Sequence, residues 1–354
     1  MSGPRRPFRS AAAGLFFFLS VCGPAQAEKV GIAVLKLASS GAIFIAQKKG
    51  YFAQEGLDVE LNFLDAAQPV ALAVVAGDAE FGATGLTAGF YNLAGKGALR
   101  IIGGQSREQP GYHLSAYLAG DKAFRGGLTS LAGLPGHSVA ITQIGSTFHY
   151  SLGLLAAKLG FDLASLRLVP LQSMTNMAAA LKGGQVDLAL MPGTIAAPMA
   201  SRGEAHVLGW VGDETPWQVG GLFASSRTVA ERRPEVEKFM RAYRRGAREL
   251  FDAFLARGPD GAAQEGAQAT ELLAILAEFT GQPSEQLRGA VPYVDPEARV
   301  LVPDIYNQVA WYQRQGLVDK TVSAETILVP GLGEGDGAPA MPAAPAGSSS
   351  SGAH

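Results

Sequence analysis

The sequence predicts an α/β protein with two lobes, in which mixed, mostly parallel sheets are flanked by helices and two crossover strands join the lobes. Short apolar runs alternate with helical segments along most of the chain, an arrangement typical of strand–helix–strand units. Two strand-like segments interrupt that alternation, and 354 residues are enough for two domains.

The first of these units shows the pattern. Val30–Leu35 is a short apolar run, which predicts a buried strand. Ser39 and Ser40 can cap the helix expected at Ala42–Gln54, and Leu57–Phe63 alternates like a strand. The alternation continues with strands expected at Ala79–Gly82, Leu99–Gly103, Ser138–Ile141, Arg167–Val169, Val186–Leu190 and His206–Trp210, and with helices expected at Pro69–Val75, Thr87–Ala94, Thr147–Leu159 and Met174–Leu181.

The two interrupting segments, His113–Leu118 and Gly220–Ser225, are interpreted as the crossovers between the lobes. Lobe one then comprises residues 28–115 together with 227–330, lobe two comprises 116–219, and 220–226 is the return hinge. The last part of lobe one is expected to be helical, because Pro234–Arg257 carries apolar residues at helical spacing after a proline suited to a first turn.

The amino terminus has the layout of a secretory signal peptide, expected to span residues 1–27. Three arginines precede the apolar run Ala11–Val21, and Ala25–Ala27 provides a small-residue cleavage site. The apolar run is shorter than the roughly 20 residues that a bilayer-spanning helix needs. Val21 is too bulky for the small residue expected before a lipidated Cys22, so we expect cleavage after Ala27 and a periplasmic protein.

Cleavage removes the single cysteine of the chain and three arginines, which changes the formal net charge from −2 to −5. The mature protein would then have no disulfide, thiol nucleophile or thiolate metal site. A mildly acidic exported protein is not expected to bind nucleic acid. Residues 331–354 are rich in Gly, Ala, Pro and Ser and poor in large apolar residues, which predicts a disordered tail.

Several segments resemble the NMT1/THI5-like branch of periplasmic binding proteins, which serves nitrate, sulfonate, taurine and pyrimidine-type importers. They occur in family order over nearly the whole mature chain: AQKKGYFAQEGLDVEL (46–61), VAGDAEFGATG (75–85), ITQIGSTFHYSLGLLAAKLGFD (141–162), AAALKGGQVDLALMP (178–192), PEVEKFMRAYRRG (234–246) and YQRQGLVD (312–319). The resemblance implies a type II-like periplasmic binding protein fold that closes about a hinge, similar to the sulfonate-binding SsuA proteins. It also implies a small-molecule solute, an inner-membrane ABC permease and its ATPase subunit as partners, and we expect a monomer.

Ligands of open α/β sheets lie outside the carboxyl ends of the strands, where helices begin. Three loops of this kind are recognisable, at Leu35–Gly41, Ala83–Thr87 and Gln143–Thr147. Each carries hydroxyls or glycine and leads into a helix whose free N–H groups suit an anion. The candidate ligand-binding residues are Lys36, Ser39, Ser40, Thr84, Thr87, Arg107, Gln143, Gly145, Ser146, Thr147, His149 and Trp217.

Some of these residues have specific expected roles, each beside a structural alternative. Arg107 can hold a planar anion with two parallel hydrogen bonds, or it can pair with Glu108 at the surface. Gly145 is expected to let the backbone approach the ligand. Trp217 can stack on a flat ligand or pack against the hinge. Ser40, Thr87 and Ser146 can also serve as caps of their own helices.

The residue pattern favours a sulfonate or carboxylate, with a neutral pyrimidine, a thiamine precursor or an aromatic solute as the alternative. An enzyme is not expected. A THI5-like biosynthetic enzyme needs a cysteine-rich iron motif, which a mature chain without cysteine cannot provide. The sequence also contains no H-E-x-x-H, P-loop or G-x-S-x-G pattern. The five histidines show no ligand spacing, so neither a metal nor a cofactor is expected. A sensory role would normally require a membrane-spanning segment.

The signal-peptide interpretation makes a direct prediction about the exported protein. Its mass should correspond to a chain that begins at Glu28 and carries no lipid, because Val21 disfavours lipidation of Cys22. Intact-mass spectrometry of the secreted product measures this. A diacylglyceryl group on Cys22, or an uncleaved amino terminus, would contradict the prediction.

Overall fold

The computed structural model describes Met1, Gly3, residues 27–259, Gly261 and residues 264–333. Apart from Met1, Gly3 and Ala27, the expected signal peptide lies outside the described residues, as does the expected tail from residue 334 onward. Within the described part of the chain, no helix is both long enough and apolar enough to cross a bilayer.

The described residues form twelve strands, most of which coincide with the expected apolar runs to within a few residues. In chain order they are β1 (Glu28–Leu35), β2 (Leu57–Leu64), β3 (Phe81–Gly85), β4 (Leu99–Gly104), β5 (Arg107–Glu108), β6 (Ser115–Gly120), β7 (Ser138–Ile141), β8 (Arg167–Pro170), β9 (Leu188–Pro192), β10 (Ala205–Trp210), β11 (Trp217–Gln218) and β12 (Gly220–Ser225).

Helices separate most of these strands. In chain order they are α1 (Gly41–Lys48), α2 (Tyr51–Gln54), α3 (Ala67–Ala76), α4 (Ala88–Gly95), α5 (Asp121–Arg125), α6 (Thr147–Leu159), α7 (Met174–Lys182), α8 (Gly193–Ser201), α9 (Val211–Glu214), α10 (Ser226–Glu231), α11 (Arg233–Leu250), α12 (Ala269–Thr280), α13 (Ser284–Arg288), α14 (Val302–Arg314) and α15 (Ala324–Ile327). Gly50, at φ 70°, divides the expected first helix into α1 and α2. Short 3₁₀ turns lie at Ala38–Ser40, Leu131–Gly133 and Leu163–Ser165, and a π turn, Phe251–Leu255, extends α11.

Each lobe is built on one five-stranded sheet. The sheet of lobe one has the order β2-β1-β3-β12-β4 and the sheet of lobe two has the order β10-β6-β9-β7-β8. In lobe one, β12 runs antiparallel to both of its neighbours, while β1 is parallel to β2 and β3. In lobe two, β6 is the antiparallel strand, while β7 is parallel to β8 and β9. The prediction of mixed, mostly parallel sheets flanked by helices is confirmed.

The lobes are joined by a two-stranded hinge made of β5 and β11, in which Glu108 pairs with Trp217 and Arg107 pairs with Gln218. The crossovers expected at His113–Leu118 and Gly220–Ser225 lie elsewhere: most of the first belongs to β6 and the second is β12. These two apolar segments are the first sheet strands after each crossing. The crossing strands themselves have only two residues each and include charged or amide side chains, so hydrophobic periodicity does not reveal them.

Helix α14 lies behind the hinge and contacts both lobes. On the side of lobe one, Gln308 of α14 accepts a hydrogen bond from the Tyr91 hydroxyl of α4 at 2.9 Å. On the side of lobe two, Tyr312 donates to the Ser146 carbonyl at 3.2 Å, and the indole of Trp311 covers Gly153 of α6. One apolar cluster is therefore continuous from α3 and α4, through the hinge, into lobe two.

The outer layer of lobe one has its own core, in which α1 and α11 pack closely against the other face of the sheet. Phe239 of α11 stacks on Phe81 of β3, with ring centroids 4.2 Å apart. The described body also extends slightly beyond Pro330, where the tail was expected to begin. Leu332 is buried, and the Val300 N–H donates to the Gly333 carbonyl at 2.7 Å.

The contact between α1 and α11 leads to a prediction about Gly246. A Cβ at Gly246 would overlap the backbone oxygen of Ala42, and a backbone atom cannot move aside as a flexible side chain can. Gly246→Ala should therefore destabilise the protein by about 1–3 kcal/mol, although alanine is normally the better helix residue. Urea unfolding measures the difference.

Gly289→Ala is the matched control, because a Cβ at Gly289 meets no atom within 4 Å and its φ is −93°. This variant should lose no stability. Equal unfolding midpoints for wild type and Gly246→Ala would show that the two helix backbones can separate without cost.

Candidate functional site

A cavity of about 480 Å³ lies in the cleft between the lobes. Its wall follows the carboxyl ends of three parallel strands in each lobe: β1, β2 and β3 in lobe one, and β7, β8 and β9 in lobe two. This is the position at which α/β sheets bind ligands, because the helices that follow the strands begin there.

Five helices begin on this wall: α3 and α4 in lobe one, and α6, α7 and α8 in lobe two. Ser39, in the 3₁₀ turn that leads into α1, also lines the cavity. The first N–H groups of a helix have no partner within the helix, and they carry the positive end of the helix dipole. Both lobes therefore direct partial positive charge at the same cavity.

Two of the expected hydroxyls have a structural role as helix caps. The Thr87 hydroxyl accepts a hydrogen bond from the Phe90 N–H at 3.1 Å, and the Ser146 hydroxyl accepts one from the His149 N–H at 3.3 Å. Each cap satisfies one N–H of its helix. In α4 the first N–H, that of Ala88, is also used, because it donates to the Gly145 carbonyl.

Charged groups are scarce on the cavity wall. Among the described lining residues only Lys36 and Asp65 are charged, and both are exposed. Lys36 Nζ lies 4.9 Å from the centroid of the Phe63 ring, so the ammonium is held over an aromatic face at the rim. The rest of the wall is apolar or neutral and polar.

The structure brings seven of the twelve predicted site residues to the cavity and leaves five away from it. The residues on the wall are Lys36, Ser39, Thr84, Thr87, Gln143, Ser146 and Thr147, and those absent from it are Ser40, Arg107, Gly145, His149 and Trp217.

Arg107 is neither a ligand contact on this wall nor a surface residue. It lies in β5 of the hinge, where its Nε donates to Gln218 Oε1 at 3.0 Å and Nη2 donates to the Arg299 carbonyl. Asp295 Oδ2 is 3.7 Å from the guanidinium. Burial lowers the pKa of Arg107, and Asp295 opposes that effect. The sequence suggested an anion site because an arginine follows a strand, but the donors of this guanidinium are used within the hinge.

Position 145 has little room for a side chain, because the two lobes contact each other there. Its φ is +80°, and a Cβ would lie 2.9 Å from the Cβ of Ala88 in lobe one. The Ala88 N–H donates to the Gly145 carbonyl at 2.9 Å, a hydrogen bond between the lobes. His149 serves the same loop: its Nδ1 accepts from the Gly145 N–H at 3.1 Å, and burial lowers the pKa of His149 to about 4.

Trp217 and Ser40 are also structural. Trp217 lies in the hinge strand β11, with its ring centroid 4.8 Å from that of Tyr150 in α6. Of the two roles expected for this tryptophan, stacking on a ligand or packing at the hinge, the contact with Tyr150 corresponds to the second. Ser40 is buried before α1, makes no capping bond, and has no partner for its hydroxyl among the described residues.

None of the twelve predicted site residues comes from the starts of α3, α7 and α8, although all three helices begin on the cavity wall. Gln68, Thr175 and Thr194 reach the cavity from these three helices. Each helix follows the carboxyl end of a parallel strand, β2, β8 or β9. The signal was present in the sequence, since the same strand-to-helix rule that selected three loops applies to these three as well.

Two carboxyl groups with raised pKa values lie in or against the hinge and do not line the cavity. Asp304 of α14 accepts from the Gln218 N–H at 2.7 Å and from Gln308 Nε2 at 2.8 Å, and burial raises the pKa of Asp304 to about 6. Glu108 of β5 is 1 % exposed, and its Oε2 has no partner among the described residues. Burial raises the pKa of Glu108 to about 8, although hydrogen bonds from Ser115 and Gly212 oppose this.

A family model described as NMT1/THI5 like matches residues 38–253, more than half of the chain. The chain belongs to the NMT1/THI5-like family. The match covers the sheet of lobe two, the hinge and every strand of the lobe-one sheet except β1, which precedes residue 38. It also covers five of the six loops on the cavity wall in full. No curated protein matches this chain in sequence.

Solved structures share the fold. The alkanesulfonate-binding protein SsuA from Xanthomonas axonopodis pv. citri, bound to MOPS, is 19% identical over 86% of this chain and 99% of its own, with a TM-score of 0.69. The periplasmic aliphatic sulphonate binding protein SsuA from Escherichia coli is 16% identical over 90% of this chain and 97% of its own, with a TM-score of 0.67. The periplasmic nitrate-binding protein NrtA from Synechocystis PCC 6803 is 13% identical over 86% of each chain, with a TM-score of 0.65. The predicted periplasmic binding protein fold is confirmed.

The buried state of Glu108 predicts a pH dependence of stability. Between the ordinary glutamate pKa of 4.5 and the value of about 8 in the folded protein, the unfolded chain releases a proton that the folded protein keeps. The free energy of unfolding should therefore fall as the pH rises through this window. From pH 5 to pH 8, wild type should lose on the order of 3 kcal/mol more than Glu108→Gln, which has no proton to release.

Urea unfolding at several pH values measures this difference. Glu60→Gln is the control, because Glu60 is exposed and the substitution makes the same change in formal charge. Parallel stability profiles for wild type and Glu108→Gln would mean that Glu108 is solvated in the folded protein.

Proposed function

We propose that this protein is the solute-binding component of an ABC-type import system, which captures a small organic solute between its two lobes in the periplasm. The observation that carries the proposal is the cleft cavity, around which helices from both lobes begin. A volume of about 480 Å³ falls within the range typical of small-molecule sites. Closure about β5 and β11 would bring both halves of the wall onto the solute.

A sulfonate or carboxylate is the solute that this wall suits best. Helix N-termini stabilise anions through unpaired N–H groups and through the helix dipole. The apolar remainder of the wall, with Phe63, Phe148 and Met174, suits the hydrocarbon part of an organic molecule. SsuA from Xanthomonas, which shares the fold, holds MOPS, a sulfonate, in its solved structure.

A neutral aromatic solute, such as a pyrimidine, is the second candidate. Phe63 and Phe148 offer flat apolar surfaces, and no buried cation lies among the described lining residues to require a charged partner. Backbone N–H groups can also donate to the carbonyl oxygens of a neutral ring. Binding experiments with both classes of solute separate the two candidates.

Binding without chemical conversion is part of the proposal. The titratable side chains among the described lining residues are Lys36 and Asp65, both exposed at the rim. Two acids with raised pKa values, Glu108 of β5 and Asp304 of α14, do not line the cavity. A permease with its ATPase subunit would receive the solute from a monomeric binding protein.

The proposal predicts that a solute stabilises the purified protein and leaves it unchanged. Native mass spectrometry should identify a co-purified molecule, and thermal melts should be compared across alkanesulfonates, arylsulfonates, carboxylates and pyrimidines. A ligand at 100 times its dissociation constant adds about 2.7 kcal/mol to the native state, which raises the melting temperature measurably. Small-angle scattering should show a smaller radius of gyration when the solute is present.

Two results would contradict the proposal. Steady conversion of the solute to a product by the purified protein would make it an enzyme. A protein that retains no molecule and is stabilised by none of the solute classes would not be an import receptor of this kind. The same buffer at the same ionic strength, without solute, is the control for ionic effects on the melting temperature.

A further inference from the structure

Two side chains on the lobe-one wall of the cavity carry buried polar atoms without partners. Thr84 is 2 % exposed and Gln105 is 3 % exposed, and both line the cavity. Neither Thr84 Oγ1 nor Gln105 Nε2 has a hydrogen-bond partner among the described residues. Buried polar groups in folded proteins are nearly always paired, so an unpaired group beside a cavity points to a partner inside that cavity, which a bound ligand can supply.

The two side chains belong to one corner of the lobe-one sheet. Thr84 lies in β3 and pairs with Gly221 of β12, while Gln105 directly follows β4, the other neighbour of β12. The Gln105 N–H donates to the Gly220 carbonyl at 3.0 Å, which fixes the backbone of Gln105. A Cβ at Gly220 would overlap Gln105 Oε1, so the glycine leaves the space that the amide occupies.

We propose that Thr84 and Gln105 form the subsite for the oxygen atoms of the solute's head group, and that this subsite selects a monoanion over a dianion. This inference rests on the proposed function, and it specifies the charge of the solute that the cavity binds.

The preference for a single charge follows from the kind of donors present. A hydroxyl, a primary amide and helix N–H groups are neutral donors, and the single cation of the described wall, Lys36, is exposed. Neutral donors can replace the water around one negative charge, whereas a second charge needs a cation beside it to offset its desolvation. A head group without acceptor oxygens would leave the Gln105 amide unpaired, which disfavours its binding.

The test of charge uses two series with identical bodies and different heads. Methanesulfonate and benzenesulfonate are the monoanions, and methyl phosphate and phenyl phosphate are the dianions above the second phosphate pKa, near 6. Calorimetric titration at pH 5 and pH 8 should give similar affinities for the sulfonate that fits. Its phosphate counterpart should bind at least tenfold more weakly at pH 8 than at pH 5, because it gains a second charge.

The test of the residues uses substitutions that keep side-chain shape. Thr84→Val and Gln105→Met should each weaken sulfonate binding by about tenfold, and Gln105→Glu should weaken it at least a hundredfold by placing a carboxylate against the anion. Thr84→Val should at the same time leave the free protein as stable as wild type or more stable, since it removes an unpaired hydroxyl. A purely structural role for Thr84 would not weaken binding while preserving stability.

Thr326→Val and Gln315→Glu are the matched controls, because they make the same chemical changes on exposed residues and should leave sulfonate affinity unchanged. Unchanged affinity in both Thr84→Val and Gln105→Met would overturn the inference, and so would a phosphate that binds more tightly at pH 8. If neither sulfonate binds but the co-purified solute does, the inference fails and the proposed function stands. If no solute binds at all, both fail.

Discussion

The hydrogen bonds of Gln218 fix the two hinge strands against each other and against α14. This residue of the hinge strand β11 is 1 % exposed, and the six bonds formed by its backbone and side chain connect both hinge strands to the segment that leads into α14. Its backbone N–H donates to Asp304 Oδ2, and its carbonyl accepts from Gln308 Nε2. Its amide nitrogen donates to the carbonyls of Ser106 and Gly220. Its amide oxygen accepts from Arg107 Nε and from the Leu301 N–H. Because a buried amide left unpaired is costly, this arrangement specifies one geometry for the hinge.

The position of the cavity depends on that geometry. With β5 and β11 fixed, the carboxyl ends of the parallel strands in the two sheets face each other, and the helices that follow them begin around the same volume. Aromatic packing extends the constraint away from the hinge, because Tyr150 of α6 contacts both Trp217 of the hinge and Trp311 of α14. Most residues that hold the lobes together are thus different from those that line the cavity; Ser106 and Ser146 do both, through their carbonyl groups.

This division explains which site residues the sequence could identify. Ser39, Thr87 and Thr147 follow apolar runs and precede helices, so their place at a strand end is readable from local pattern and the wall contains them. Arg107 and Trp217 have suitable chemistry for a ligand and lie near strand ends in sequence, yet their partners, such as Asp295 and Tyr150, come from distant segments. Local pattern does not reveal contacts with residues far along the chain.

The alternation of strands and helices, the α/β class and the strand-to-helix loops are readable from local sequence, because they follow from hydrophobic periodicity and from capping residues close in the chain. Three features depend on contacts between distant segments: where the chain crosses between the lobes, why position 145 is a glycine, and the environments that raise the pKa values of Glu108 and Asp304. The crossing strands are two residues long, Gly145 is constrained by Ala88 of the other lobe, and the burial of a carboxyl depends on every segment packed around it. Such properties belong to the assembled fold and have no signature in local sequence.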